Sequence, residues 1–310
     1  MLNRSPRSPE ARRQQHADVK RGGGRLGAWE VLKRVAIGVY SDGFIHAGNL
    51  AYLTLVAIFP FFIVAAAIFQ ILGATQAGLE AVNGFLLTVP PSVAGVLKPA
   101  ILDVLSVRTG NLLWIGALVG LWTTGSLVET IRDILRRAYG TKSTQPFWHY
   151  RLGAIGIIIL SVLGAMFALS LQVLVSAVDA VVEGLFPRLD VALGLSAVSR
   201  VGPTVILFFA LQLLFMALTP TPYRSRRFPK WPGALFIALW WFGTAQLLPL
   251  ILAHLTAYSL TYGGLAGTMV TLIFFFIIGL GVVIGAELNA ALAEFPAGGE
   301  LADETEEQGS

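Results

Sequence analysis

The chain has 310 residues, 55% of them hydrophobic and only 13% charged, with a mean hydropathy of +0.71. A soluble chain carries roughly a quarter charged residues, so much of this surface must face something other than water, which identifies an integral membrane protein. The absence of cysteine excludes disulfides, thiolate metal sites and Cys nucleophiles, and the four histidines (His16, His46, His149, His254) form no metal-ligand spacing. No cofactor or metal is expected.

Residues 1–27 are rich in Arg, Ser, Gly and Gln and read as a disordered basic tail, with no apolar signal segment close behind. Trp29 to His46, WEVLKRVAIGVYSDGFIH, predicts an amphipathic helix at the membrane interface leading into a first span. A span needs about 20 predominantly apolar residues. Six such stretches predict an all-α, polytopic domain over 28–296: Ala47–Gly73, Leu112–Ile131, Leu152–Val178, Ser196–Leu218, Gly233–Leu255 and Leu265–Leu288. Small residues interrupt all six and would let helix backbones approach closely in lipid. Leu79–Val107 is too polar and too Pro-broken to span, and its apolar spacing predicts two short amphipathic helices on the outer face or over the bundle, with Ala180–Leu195 a shorter version. Gly263-Gly264 suits a tight reversal before the last span. Residues 297–310 read as a disordered acidic tail.

Lys and Arg in alternate connecting segments number eighteen on one side and four on the other. The positive-inside rule therefore places both termini in the cytoplasm.

Three spans bring polar groups to a similar cytoplasmic level: Asp42 and Asn49 on the first, Glu129 and Arg132 at the end of the second, Glu287 and Asn289 at the end of the sixth. They make a candidate polar cluster. The plainer reading is that charges are cheap at helix ends, with Glu129 and Arg132 pairing locally at i, i+3. Glu287 carries the functional reading furthest, because a carboxylate near a helix C-terminus meets the wrong partial charge. That objection weakens if the helix runs on to Glu294, and a buried partner such as Asn49 or an inner-loop Arg is expected for it. Deeper in the bilayer, Gln70, Gln212 and Gln246 are expected to hydrogen-bond between helices, and Pro60 and Pro249 to kink the first and fifth spans.

There is no nucleotide-binding P-loop, no H-E-x-x-H and no G-x-S-x-G, so neither an ATP motor nor a metal or serine hydrolase is indicated. The basic inner loops are accounted for by topology and by anionic lipid headgroups; no nucleic acid is expected as a partner.

Five stretches carry a resemblance: NLAYLTLVAIFPFF, ETIRDILRRAYG with PFWHYRL, PGALFIALWW, AYSLTYGGLAGTMVTLIFF and GAELNAAL. In this order, over about Leu32 to Glu294, the chain resembles the YihY/BrkB family. The resemblance implies a bacterial inner-membrane protein with six helices, once mislabelled ribonuclease BN and in some members linked to serum resistance, with a lipid or solute transport role. The family usually has an aromatic residue where this chain has Leu53, and a Ser near Ala57. It offers no established catalytic residues to carry over.

The expected function is movement or handling of a lipid or other amphipathic substrate, with membrane lipids as partners and a homo-oligomer left open. The alternative is a membrane scaffold that recruits soluble partners through its charged tails. An enzyme is not expected, because the soluble loops assemble no His, Asp and Glu set able to run acid–base or metal chemistry.

Overall fold

A computed structural model describes residues 28–71, 82–106, 111–141, 148–164, 195–225, 228–254 and 265–294. The described residues are mostly helical, joined by short turns, with no strand among them. In chain order the helices are α1 (Ala28–Gly38), α2 (Phe44–Ile71), α3 (82–86), α4 (Pro91–Ser106), α5 (Asn111–Ala138), α6 (Trp148–Gly164), α7 (Leu195–Leu218), α8 (Trp231–His254) and α9 (Ala266–Glu294). Both predicted tails, the Ala180–Leu195 segment except Leu195 itself, the Gly263-Gly264 turn and the second half of the third span lie outside the described residues.

Among the described residues, three helical runs are long and apolar enough to cross a membrane, namely Val31–Ile68, Trp231–Ala253 and Ala266–Ala293; Trp148–Gly164 and Thr204–Leu218 are shorter apolar helices. Helix α5 has the length, at 28 residues, but its second half carries charge. The first span differs from expectation at its start. Instead of a separate interfacial helix there is one continuous helical run from Ala28, passing through a π-helical segment, Val39–Gly43, into α2. The extra residue per turn is accommodated where Gly43 faces Val283 of α9, and Ser41 Oγ donates to Gly38 O at 3.1 Å.

Helix α9 is the centre of the bundle and packs on α1, α2, α4, α5 and α8. Lipid is as apolar as leucine, so close packing rather than water exclusion must hold such helices together. The sequence supplies glycine where backbones meet. A Cβ at Gly279 would lie 2.9 Å from Ala47 O of α2, and one at Gly285 would lie 2.9 Å from Gly233 O of α8. Between α2 and α5, Gly120 lies against the carbonyl of Pro60. Pro60 stands inside the continuous helix α2, at one of its close contacts with a neighbour.

Helices α3 and α4 form a hairpin around Pro90-Pro91, and it packs into the bundle. Val93, Leu97 and Ile101 are 0% exposed, set against Phe274, Phe275 and Ile278 of α9 and Leu248 of α8. Phe85 stacks edge-on against Phe62 of α2, with ring centroids 5.6 Å apart. At the hairpin tip the Thr88 carbonyl accepts a hydrogen bond from Trp241 Nε1 at 2.7 Å. Trp241 is the eleventh of the 24 residues of α8, so at ~1.5 Å per residue the tip sits about 15 Å from one end of that helix. Non-helical backbone at such depth is tolerable only when protein covers it; here the indole and the buried Val89 and Pro90 do so.

Candidate functional site

The end of the bundle where α9 finishes and α8 begins gathers most of the polar side chains singled out from the sequence. Helix α9 runs on to Glu294, so Glu287 lies two turns before its C-terminus rather than at the frayed end. Its side chain is 5% exposed and rests against Gly38, where any Cβ would collide with the carboxyl group. Asp42, half-buried, lies in the π segment that follows. Asn49 is exposed. Of the partners expected for Glu287, Asn49 or an inner-loop Arg, Asn49 is turned to the exposed side, and the carboxyl group lies against Gly38 of α1.

Asn289, two residues on, turns to the opposite neighbour. It is 1% exposed, its Oδ1 accepts from Gly233 N at 2.8 Å, and its Nδ2 donates to Lys230 O at 2.9 Å. Helix α8 starts at Trp231 after a lysine that cannot cap it, and Pro232 has no N–H to satisfy. Asn289 supplies the missing cap from another helix. Lys230 closes the preceding loop by donating to the carbonyls of Arg224 (3.2 Å), Ser225 (2.8 Å) and Phe228 (2.9 Å). Burial, and then the charge of Arg224, hold its ammonium below the ordinary lysine range.

Glu129 does not pair with Arg132. Its Oε1 accepts from Nη1 of Arg151 at 3.1 Å. Arg151, at the start of α6, is 4% exposed. Its Nη2 donates to Trp122 O at 2.6 Å, and its guanidinium lies 3.9 Å from the centroid of the Trp122 ring. Gly125 and Ser126 leave the room it occupies along α5. Arg132 instead donates to Tyr150 O at 3.2 Å, and both Arg132 and Arg136 lie over the Tyr150 ring, at 5.0 and 4.1 Å.

Helix α5 ends just below this cluster in a Schellman turn. Gly140 takes φ +62°, Thr141 N donates to Arg136 O at 2.9 Å and Gly140 N to Arg137 O at 3.1 Å. The next residue back, Tyr139, stacks on Tyr223 at 4.9 Å, and Tyr223 on Phe228 at 5.4 Å. This aromatic trio ties the end of α5 to the segment between α7 and α8.

The deeper polar residues are more dispersed. Gln246 is exposed and makes no interhelical bond among the described residues. Gln212 is half-buried, with its Oε1 lacking a partner among the described residues. Gln70 lies within α2, but its side chain is outside the described residues, and α8 continues through Pro249 to His254. Sequence reading missed the roles of Arg151, Lys230 and Gly38. The first two had been counted only as topogenic charges, and the sole local signal for Arg151 was its place in PFWHYRL.

A model of the family described as Virulence factor BrkB matches residues 41–308. The "ribonuclease-like protein YfkH" of Bacillus subtilis is 26% identical over 252 residues, covering 81% of this chain and 90% of that one. A "UPF0761 membrane protein" of Verminephrobacter eiseniae is 29% identical over 81% of this chain and 59% of its own length. Another, from Aromatoleum aromaticum, is 25% identical over 80% and 60%. The chain thus spans about three-fifths of these two longer relatives. No solved structure matches it. With the match reaching from the π segment through the buried Glu287 and Asn289 and on past the last described helix, the chain is a membrane protein that belongs to the Virulence factor BrkB (YihY/BrkB) family.

Proposed function

We propose that this protein is a six-span bacterial inner-membrane protein, with both termini cytoplasmic, that moves a lipid or similar amphipathic molecule across or along the bilayer without making or breaking its bonds. The observation that carries this reading is the α3–α4 hairpin, whose tip is held about midway along α8 by the Thr88–Trp241 bond. A broken helix inserted to that depth is a large structural expense for a scaffold, and broken helices line substrate routes in membrane transporters. The buried Glu287 at the basic end supports the same reading, since ionisable groups inside a bundle are costly and usually mark a pathway. In this scheme the Lys230 end faces the cytoplasm, as the charge count requires.

The test is a translocation assay in proteoliposomes with headgroup-labelled phosphatidylglycerol, following accessibility to an impermeant quencher. Native protein should accelerate movement, and Glu287→Gln should slow it at least severalfold. Equal movement with and without folded protein would rule the reading out.

A further inference from the structure

Guanidinium groups crowd the turn between α5 and α6. Arg132 and Arg136 share the Tyr150 ring, so their separation is limited to the sum of 5.0 and 4.1 Å. Arg151 follows Tyr150 directly, and Arg224 from the neighbouring loop is near enough to act on the charge of Arg132. Among the described residues the carboxylate set against these four cations is Glu129, and Arg151 already engages it. Asp133 is turned outward, paired with Arg137 at 2.9 Å on an exposed face. Donors are left over as well. Arg136 Nη2 and Arg151 Nε are buried and have no hydrogen-bond partner among the described residues. Unspent buried donors beside an excess of positive charge among the described residues suit an anion with several acceptor oxygens.

The surroundings indicate which kind of anion. Along α5, Trp114, Ile115, Leu118, Val119 and Trp122 are exposed, forming an apolar stripe that ends at the tryptophan under the Arg151 guanidinium. A free anion would have no use for that stripe. An acyl chain would lie along it while its headgroup reached the arginines.

From this juxtaposition we propose that Arg132 and Arg136, positioned by Tyr150 and backed by Arg151, form a binding site for a phosphodiester, chiefly the headgroup of an anionic phospholipid. Arginine suits the role because its planar fork can give two parallel bonds to one phosphate. Tyr150 attracts both guanidinium groups through its ring, and Trp122 does so for the single group of Arg151. The side of the membrane assigned to this site rests on the topology proposed above. Binding itself does not require that the protein move lipid.

The experiment places the full-length protein in nanodiscs of phosphatidylcholine containing a fifth phosphatidylglycerol and counts co-released lipids by native mass spectrometry. Native protein should retain phosphatidylglycerol over phosphatidylcholine about fivefold or more beyond their ratio in the disc. Arg132→Gln/Arg136→Gln should lose that preference, and Arg137→Gln, which alters an exposed neighbouring arginine, should keep it. A second arm measures labelled inorganic phosphate by equilibrium dialysis in zwitterionic detergent. Saturable binding there, abolished in the double variant and accompanied by no lipid preference, would assign the site to free phosphate. No preference for phosphatidylglycerol and no phosphate binding by native protein would overturn the proposal, even if the double variant failed to fold. So would a preference that the folded double variant retains. Lipid movement is not read in either arm, so failure of this site and failure of the transport reading are separate results.

Discussion

Glu287 and Gly38 interlock: the buried carboxyl group occupies the space in which a side chain at residue 38 would begin. Helices α9 and α1 therefore meet through a carboxylate laid against bare backbone, at the point where α1 gives way to the π segment. Overfilling a packed site costs about 1–3 kcal/mol. Gly38→Ala should lower the unfolding midpoint in detergent by an amount in that range. Combined with Glu287→Ala it should cost clearly less than the two single changes added together, because the clash disappears with the carboxyl group. Strict additivity would mean the residues do not press on one another.

Asn289 joins α9 to the first turn of α8 by two hydrogen bonds. Truncating it leaves the buried Gly233 N–H unpaired and takes one of two donors from the Lys230 carbonyl, which keeps Ala234 N at 3.4 Å, a loss of about 1–3 kcal/mol. Asn289→Ala should destabilise accordingly. Asn289→Asp should recover only part of the loss, since a carboxylate still accepts from Gly233 N but repels the Lys230 carbonyl. Unfolding titrations of the two variants in one detergent would give the order.

The glycines of α8 separate by what surrounds them. A Cβ at Gly233 would strike the Gly285 carbonyl and the Asn289 amide, whereas Gly243 has nothing within 4 Å. Gly233→Ala should force α8 and α9 apart and lower stability. Gly243→Ala should be neutral or stabilising by up to about 1 kcal/mol, the ordinary helix preference of Ala over Gly. Similar effects at both positions would contradict the close crossing.

Arg151 uses separate guanidinium nitrogens for Glu129 and for the Trp122 carbonyl. A lysine keeps the charge but cannot span both acceptors or stack on the indole in the same way. Arg151→Lys is expected to cost more than Glu129→Gln, whose side-chain oxygen still accepts from Nη1. Each loss should fall within about 1–3 kcal/mol. Thermal unfolding of the two purified variants would rank them, and a larger loss for Glu129→Gln would assign the stability to charge rather than geometry.

How much was legible beforehand depends on the range of the interaction responsible. The helical class, the long apolar runs, the two short helices after α2 and the basic loops all follow from local composition and periodicity, which act over a few residues. The turn ending α5, at Arg-Arg-Ala-Tyr-Gly-Thr, is equally local, yet the expected span stops at Ile131 and the turn is not predicted. What Glu287, Asn289 and Glu129 touch was not legible. A charge near a helix end has several neighbours of suitable type, and helix rotation together with close glycine crossings selects among them. Gly38, Lys230 and Arg151 became the partners because helix packing brought them within reach, from 22 residues away for Arg151 to most of the chain's length for Gly38. The α3–α4 hairpin shows the same division. Its amphipathic pattern established that it would bury one face, while the indole of Trp241, 153 positions from Thr88, decided how deep that face would go. Pattern determines what must be covered; only tertiary packing determines by what.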